Sequence, residues 1–479
     1  MPPMISDCIQ SARFGDRRLT NRLVKLVGQL SNYPNLSIPG AMKVRADTEA
    51  AYRFFDNPRV TPDAITEPHI AATKERIRQS QVALLVQDTT EIDLTRPAQQ
   101  VRGAGPLDGN KRMGMLYHPL MAFDDQGLAL GTVWSKTWVR DETDETVEKL
   151  PAAQKREQTR KLPIEDKESI RWLEGLRAAL STAKACPQTQ CICVADSEAD
   201  IYEMFIEDRR VNETNQLEIL VRSGRQRSLS NGGGSVLDAV RSTPCLYTCF
   251  VDVSKRTLKI RATKRERNQP RSSRLAEVQV RAKTVTLHPS SRPGTSLPEV
   301  TVNVVLVEEI DTPAGEIPIQ WLLITTLPIT TLEQVKLIVH YYTIRWQIEV
   351  YFRTLKTGCR VEERYVENIH RMENCLAVYA IVAWKVLYLC RLSRDCPEMN
   401  CEVVFDPSEW KPVYMAIRRS QPPKTPPTLN EIVRMIASLG GYVMRKATEP
   451  GTQTLWIGLQ RLNDLSLAWN TFGPGARYR

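Results

Sequence analysis

Residues 82–88 read VALLVQD, five consecutive apolar residues that run into Gln87 and Asp88. A strand with one solvated face alternates apolar and polar residues, whereas an unbroken run belongs to a strand covered on both faces. CICVAD at 191–196 repeats the pattern and again ends in an aspartate, and SEADIYEMFIED after it has helical character. Between them, MGMLYHPLMAFDDQGLALGTVW at 113–134 gives two strand-like runs around the turn signal DDQG. Two buried strands of this kind, followed by helix, point to an α/β core.

The chain has 479 residues, enough for two to four domains, and 42% apolar content to fill their cores. Its 65 Lys and Arg against 55 Asp and Glu give a net charge of +10, which favours an anionic partner such as nucleic acid. Eleven cysteines without a CxxC pair read as reduced thiols of a cytosolic protein, and five scattered histidines leave no HExxH. These patterns argue against a zinc enzyme. MPPMISDCIQSARFGDRR lacks an apolar core of signal-peptide length, so export is not expected. CLAVYAIVAWKVLYLCRL at 375–392 is broken by Lys385 and reads as a buried helix, with no membrane partner.

Further out, Leu19, Leu23, Leu26 and Leu30 recur at helical spacing, with Arg18, Arg22 and Lys25 on other sides. That helix is either part of a DNA-binding domain or a solvated amphipathic surface. Residues 140–170 are a polar connection of mixed charge, and 216–327 change to short alternating segments, a strand-rich insertion. Beyond it the chain is mainly helical apart from SQPPKTPPT at 420–428.

YYTIRWQIEVYFRTLKTGCR at 341–360 reads as one helix over 341–356. At 100° per residue Tyr342, Arg345, Glu349, Arg353 and Lys356 fall within roughly 80° of each other, with Ile344, Ile348, Tyr351, Phe352 and Leu355 broadly opposite. On its own this reads as a solvated flank whose Arg345–Glu349 pair contributes roughly 0.2–0.5 kcal/mol. Asp88 and Asp196 change its meaning, because three carboxylates on rigid elements can hold Mg²⁺ or Mn²⁺ for phosphoryl transfer. Glu91, Asp93, Glu198 and Asp200 compete for the same role, and a strand-end aspartate can also cap a helix or close a turn.

QDTTEID around Asp88, ADSEADIYEMF around Asp196 and Tyr-x2-Arg-x3-Glu-x6-Lys from Tyr342 resemble the bacterial cut-and-paste insertion-sequence transposases of the DDE class, the family of transposon five. FGDRRLTNRLVKL, EAAYRFFDNPRVTPDAI and MIASLGGYV extend the resemblance nearly end to end; it is weakest at 140–170 and 395–430. The resemblance implies an α/β fold: a ribonuclease H-like catalytic core with a strand-rich insertion, plus helical N- and C-terminal domains. Residues 1–70 would then recognise transposon ends, 71–395 would form the catalytic domain with its insertion at about 216–327, and 396–479 would dimerise.

By the same resemblance Asp88, Asp196 and Glu349 form the catalytic, metal-binding triad, with Mg²⁺, or Mn²⁺ in its place, at two ions per site. Tyr342, Arg345 and Lys356 would hold phosphates of the DNA end, Trp321 would stack on a flipped base, and Arg222, Arg18 and Arg22 would contact DNA. Trp346 also matches by position and is read as packing. The partners implied are double-stranded DNA, as inverted-repeat ends and as target, and a second copy of the chain. The activity implied is nicking, hairpin formation and opening, and strand transfer, in the bacterial cytoplasm at the nucleoid. The alternatives are a catalytically silent or domesticated DNA-binding relative, a transposition inhibitor, or a structure-specific nuclease. Residues 255–283, with eleven Lys and Arg against two Glu, supply a phosphate-binding segment or a solvated loop.

Overall fold

The computed structural model describes residues 9–96, 100–108, 111–141, 154, 162–230, 232–253, 272–290, 292, 296–444 and 448–474. Among the described residues four helices precede the first strand: α1 (Arg17–Asn32), α2 (Ile38–Met42), α3 (Arg45–Phe55) and α4 (Pro62–Arg78). Asp16 caps α1 by accepting the Arg18 N–H, and Leu23, Leu26 and Leu30 bury the leucine stripe expected of it.

One mixed sheet then organises the molecule. Its strands are β1 (Val82–Gln87), β2 (Thr90–Asp93), β3 (Gly105–Pro106), β4 (Met113–Phe123), β5 (Ala129–Trp138), β6 (Gln190–Ala195), β7 (Glu218–Arg222), β8 (Tyr247–Val253), β9 (Arg274–Leu287), β10 (Val300–Glu309) and β11 (Gln320–Thr325). The order across the sheet is β2-β4-β1-β6-β7-β11-β10-β9-β8, with β3 and β5 paired to β4. β1, β6 and β7 run parallel; β4 and β11 flank them antiparallel. The strand-rich segment from 216 is therefore no separate layer but an extension of the same sheet through β11. Within that strand-rich segment, residues 254–271, with the alternating run LKIRAT at 258–263, lie outside the described residues.

Burial on both faces accounts for the unbroken apolar runs. Ala83, Leu85, Cys191, Cys193 and Ala195 pack on one face against α5 (Ile170–Ala185), while Leu84, Val86, Ile192 and Val194 enter the core on the other. Short helices α6 (Tyr202–Ile206) and α7 (Val236–Arg241) follow, then α8 (Leu332–Ile344) and α9 (Gln347–Arg353). The expected single helix over 341–356 is thus two, joined at Arg345–Trp346. The backbone there closes i to i−3, Arg345 to Tyr342 and Trp346 to Thr343, which tightens and ends α8. After α9 a π-helical turn spans Thr354–Gly358.

α10 (Ile369–Asp395) is long and apolar enough to cross a membrane, yet 83% of its most apolar window is buried inside the protein. It packs between α1 and α4 on one side and β5 on another, as a core helix should. The last helices, α11 (Pro407–Arg418), α12 (Leu429–Leu439) and α13 (Thr452–Phe472), form a third core with Val386, Leu389 and Leu392 of α10. All ten described cysteines are free thiols.

Two buried histidines are expected to make stability fall in acid. His69 accepts the Thr132 N–H through Nε2 at 3.0 Å, and burial, helped by Arg76, pushes its pKa down to about 3. Burial, followed by Arg171 and Lys136, also holds His118 well below 6.5. Folded pKa values below the unfolded one mean that the folded state refuses protons the unfolded chain accepts. Stability is then complete above about pH 6.5 and falls as pH drops below it, for His69 down to about pH 3, by roughly 1.4 kcal/mol per unit for each histidine that stays neutral. Urea midpoints between pH 7.5 and 5 should fall accordingly, and His69→Gln should lessen the slope. A flat profile over that range would show that the histidines are solvated.

Candidate active site

The sheet register brings the two strand-end aspartates together. β1 pairs with β6 in parallel, Val86 opposite Val194, so Asp88 and Asp196 each stand two residues beyond the same rung. Neighbouring strands are about 4.8 Å apart, which sets the two side chains at one end of the sheet on adjacent strands. Asp196 Oδ1 accepts the Glu198 N–H at 2.8 Å, capping the turn Ser197–Ala199. Asp88 Oδ1 accepts the Thr89 N–H at 2.8 Å.

Glu349 reaches the site from α9. Ile348, Tyr351 and Phe352 bury the opposite side of that helix, and the Tyr351 hydroxyl lies 3.3 Å from both the Tyr117 hydroxyl of β4 and the Ala380 carbonyl of α10. Arg345 then joins helix to strand: Nη1 donates to Asp88 Oδ2 at 3.2 Å and Nη2 to Glu349 Oε1 at 2.9 Å. Burial and then the charge of Asp196 raise the Asp88 carboxyl well above the usual carboxylate range, against the pull of Arg345 and the Thr89 N–H, with Glu349 adding to the rise. Arg345 stays charged despite its burial, held by Tyr342, Asp88 and Glu349.

The competing carboxylates are all engaged elsewhere. Glu91 and Asp93 both bind Arg112, Glu198 binds Arg171, and Asp200 binds Arg227. Asp88 and Glu349 share one guanidinium, and Asp196 has no ion pair among the described residues. No three His, Cys, Asp or Glu side chains among the described residues close into a finished metal cage, and Arg345 bridges two of the three expected ligands. The donor set nevertheless fits a hard divalent cation: three carboxylates, all oxygen, with a single cationic side chain among them.

Around this centre, Tyr342 is buried and its hydroxyl makes no well-formed hydrogen bond. It was expected on the polar face of its helix; instead its ring lies under Arg345, 5.8 Å from ring centre to guanidinium, and edge-on to half-buried Trp321 at 5.4 Å. Arg222, at the end of β7, donates to Ser197 Oγ at 3.3 Å, next to Asp196. Lys356 sits in the π-helical turn, bound to the Glu91 carbonyl at 2.7 Å and to Glu362 at 3.1 Å. Trp346 is 42% exposed beside Arg345, so the packing expected of it is not found.

Arg18 and Arg22 lie apart from this cluster on α1. Arg18 is exposed and paired with Asp16, and Arg22 is paired with Asp47. Most of the basic segment at 255–283 lies outside the described residues. A group that the sequence did not signal surrounds the aspartates: Arg171, Thr89, His118 and Gln87 form a hydrogen-bonded chain behind Asp88. Its members are separated by up to 84 positions in the chain and form no local motif.

Comparison with known families gives three matches. Residues 3–60 match a family described as transposase DNA-binding, 165–384 the transposase DDE domain, and 381–478 the transposase Tn5 dimerisation domain. Asp196 and Glu349 lie within the DDE match, and Asp88 precedes it. Among solved structures, a piggyBac transposase synaptic complex with hairpin DNA shares 11% identity, with a TM-score of 0.31, over 72% of this chain. The chain spans 54% of that protein's length.

Proposed function

The chain belongs to the Tn5-like DDE transposases, and from that premise we propose that it cuts and joins DNA at the carboxylate centre between β1, β6 and α9. The observation that carries this reading is that Asp88 and Asp196 each stand two residues beyond the Val86–Val194 rung, with Glu349 tied to Asp88 through Arg345 while every rival carboxylate is paired elsewhere. The substrates would be inverted-repeat transposon ends and target DNA, handled by a dimer whose N-terminal helices read the ends. The catalytic core would be ribonuclease H-like.

Asp88, Asp196 and Glu349 would hold Mg²⁺ or Mn²⁺, as two ions. When bound, such ions supply charge stabilisation for the attacking and leaving oxygens of a phosphodiester. The protein's own groups do the rest. Arg345 keeps the helix carboxylate against the strand carboxylate. The Tyr342 hydroxyl, buried beside Arg345, would have to turn outward to donate to a phosphate oxygen, and Lys356 would exchange Glu362 for another phosphate. Arg222 stands next to Asp196 through Ser197, and the exposed Trp346 adjoins Arg345 in the chain.

The direct test is Mg²⁺-dependent nicking, hairpin formation and strand transfer on a labelled terminal repeat taken from the DNA flanking the reading frame. End binding without any cutting would mark a silent relative instead. Trp321 supplies a narrower prediction. Stacking of a base on an aromatic ring is worth about 1–3 kcal/mol, so Trp321→Ala should slow hairpin closure by roughly 5- to 150-fold more than first-strand nicking. Equal loss of both steps would assign Trp321 to packing against Tyr342.

A further inference from the structure

Arg171, on the first turn of α5, touches both aspartate-bearing segments at once. Its Nε donates to Thr89 Oγ1 at 2.8 Å, one residue from Asp88, and its Nη2 to Glu198 Oε2 at 3.0 Å, two residues from Asp196. Nη1 donates to the Glu168 carbonyl at 2.9 Å. The guanidinium lies 5.7 Å from the ring centre of Trp138 and 5.3 Å from that of Trp172, and its side chain is 11% exposed. All three nitrogens and the surrounding rings thus fix one orientation.

The contact continues inward. With the Thr89 hydroxyl accepting from Arg171, its proton points to His118 Nδ1 at 2.7 Å; His118 Nε2–H then donates to Gln87 Oε1 at 3.0 Å. Gln87 Nε2 reaches Cys193 Sγ on β6 at 3.3 Å. Gly175, one turn further along α5, admits this arrangement, since a β-carbon there would stand 2.1 Å from Gln87 Oε1. The chain of bonds stitches β1 to β6 directly beneath the two aspartates.

We propose that Arg171 is a positioning residue for the carboxylate centre: it fixes the Asp88 strand end relative to the Asp196 turn, so that less ordering is left to do when the two side chains meet a divalent cation. This rests on the reading of Asp88, Asp196 and Glu349 as the metal-holding set. Groups that orient metal ligands typically contribute 10- to 100-fold to metal affinity or activity.

The test uses the full chain and Mn²⁺ alone, with free Mn²⁺ measured by electron paramagnetic resonance, alongside nicking as a function of Mn²⁺ concentration. Arg171→Gln should bind Mn²⁺ about 10- to 100-fold more weakly and shift half-maximal nicking by the same factor. Arg171→Lys keeps the charge but loses the fork, and should remain impaired. Thr89→Val and Glu198→Gln each remove one arm; should Arg171→Gln fail to fold, they carry the test, and combined with it they should add little. Wild-type Mn²⁺ affinity in Arg171→Gln, full recovery with lysine, or simple additivity would overturn the inference. Asp88→Asn separates the two levels: if it loses Mn²⁺ and Arg171→Gln does not, only Arg171 is misassigned. If Asp88→Asn also binds and cuts normally, the carboxylate reading itself fails.

Discussion

Asp196→Asn is expected to lower metal-dependent nicking by about 10³-fold or more while leaving the protein folded and able to bind DNA ends. The substitution is nearly isosteric, and the asparagine oxygen can still accept the Glu198 N–H that caps the turn Ser197–Ala199. What disappears is one negative charge among three. Metal-ion catalysis supplies several kcal/mol of transition-state stabilisation, and each 1.36 kcal/mol is tenfold in rate. End binding should hold or tighten, because the site presents less negative charge to phosphates. Single-turnover nicking, gel-shift affinity and the urea midpoint of the same preparation check the three parts together. Nicking within tenfold of wild type would remove Asp196 from the chemistry.

The residues that this prediction uses were legible for a simple reason. Strands buried on both faces are mostly apolar, so VALLVQD and CICVAD marked β1 and β6 to within a residue, and the aspartate that closes each segment sits just past the strand's end. The turn at DDQG likewise separated β4 from β5. Local periodicity failed at 341–356, because a helical wheel assumes an unbroken helix and here the backbone tightens at Arg345–Trp346. Tyr342 consequently turns inward and Trp346 outward. The sheet extension was readable as strands but not as one sheet, since pairing order is set by partners far apart in the chain. Arg171 was invisible for the same reason: its value lies in reaching Thr89, 82 residues away, and Glu198, 27 away.

A different kind of loss is expected from Arg227→Met. Asp200 is fully buried, and Arg227 meets its Oδ1 through Nε at 2.7 Å and its backbone carbonyl through Nη2 at 3.2 Å, with the guanidinium against Phe205 and Tyr202. The other carboxylate oxygen accepts the Ser223 hydroxyl and the N–H groups of Gly224 and Arg225. Gly224 sits so close that a β-carbon would stand 2.5 Å from the Ser197 carbonyl. One buried pair therefore clamps the loop after Arg222 onto the turn after Asp196. Removing the cation leaves a buried charge, at a cost of about 3–5 kcal/mol of stability, nearer the lower figure because three neutral donors remain. Asp200→Asn combined with Arg227→Met should cost less than the two singles added, since neither charge is then stranded. Unlike Asp196→Asn, the single variant should lose midpoint stability and end affinity together, yet cut at close to the wild-type rate once DNA is saturating at low temperature. A stability change below about 1 kcal/mol would mean that water already reaches the pair, and that the loop is held by its backbone bonds alone.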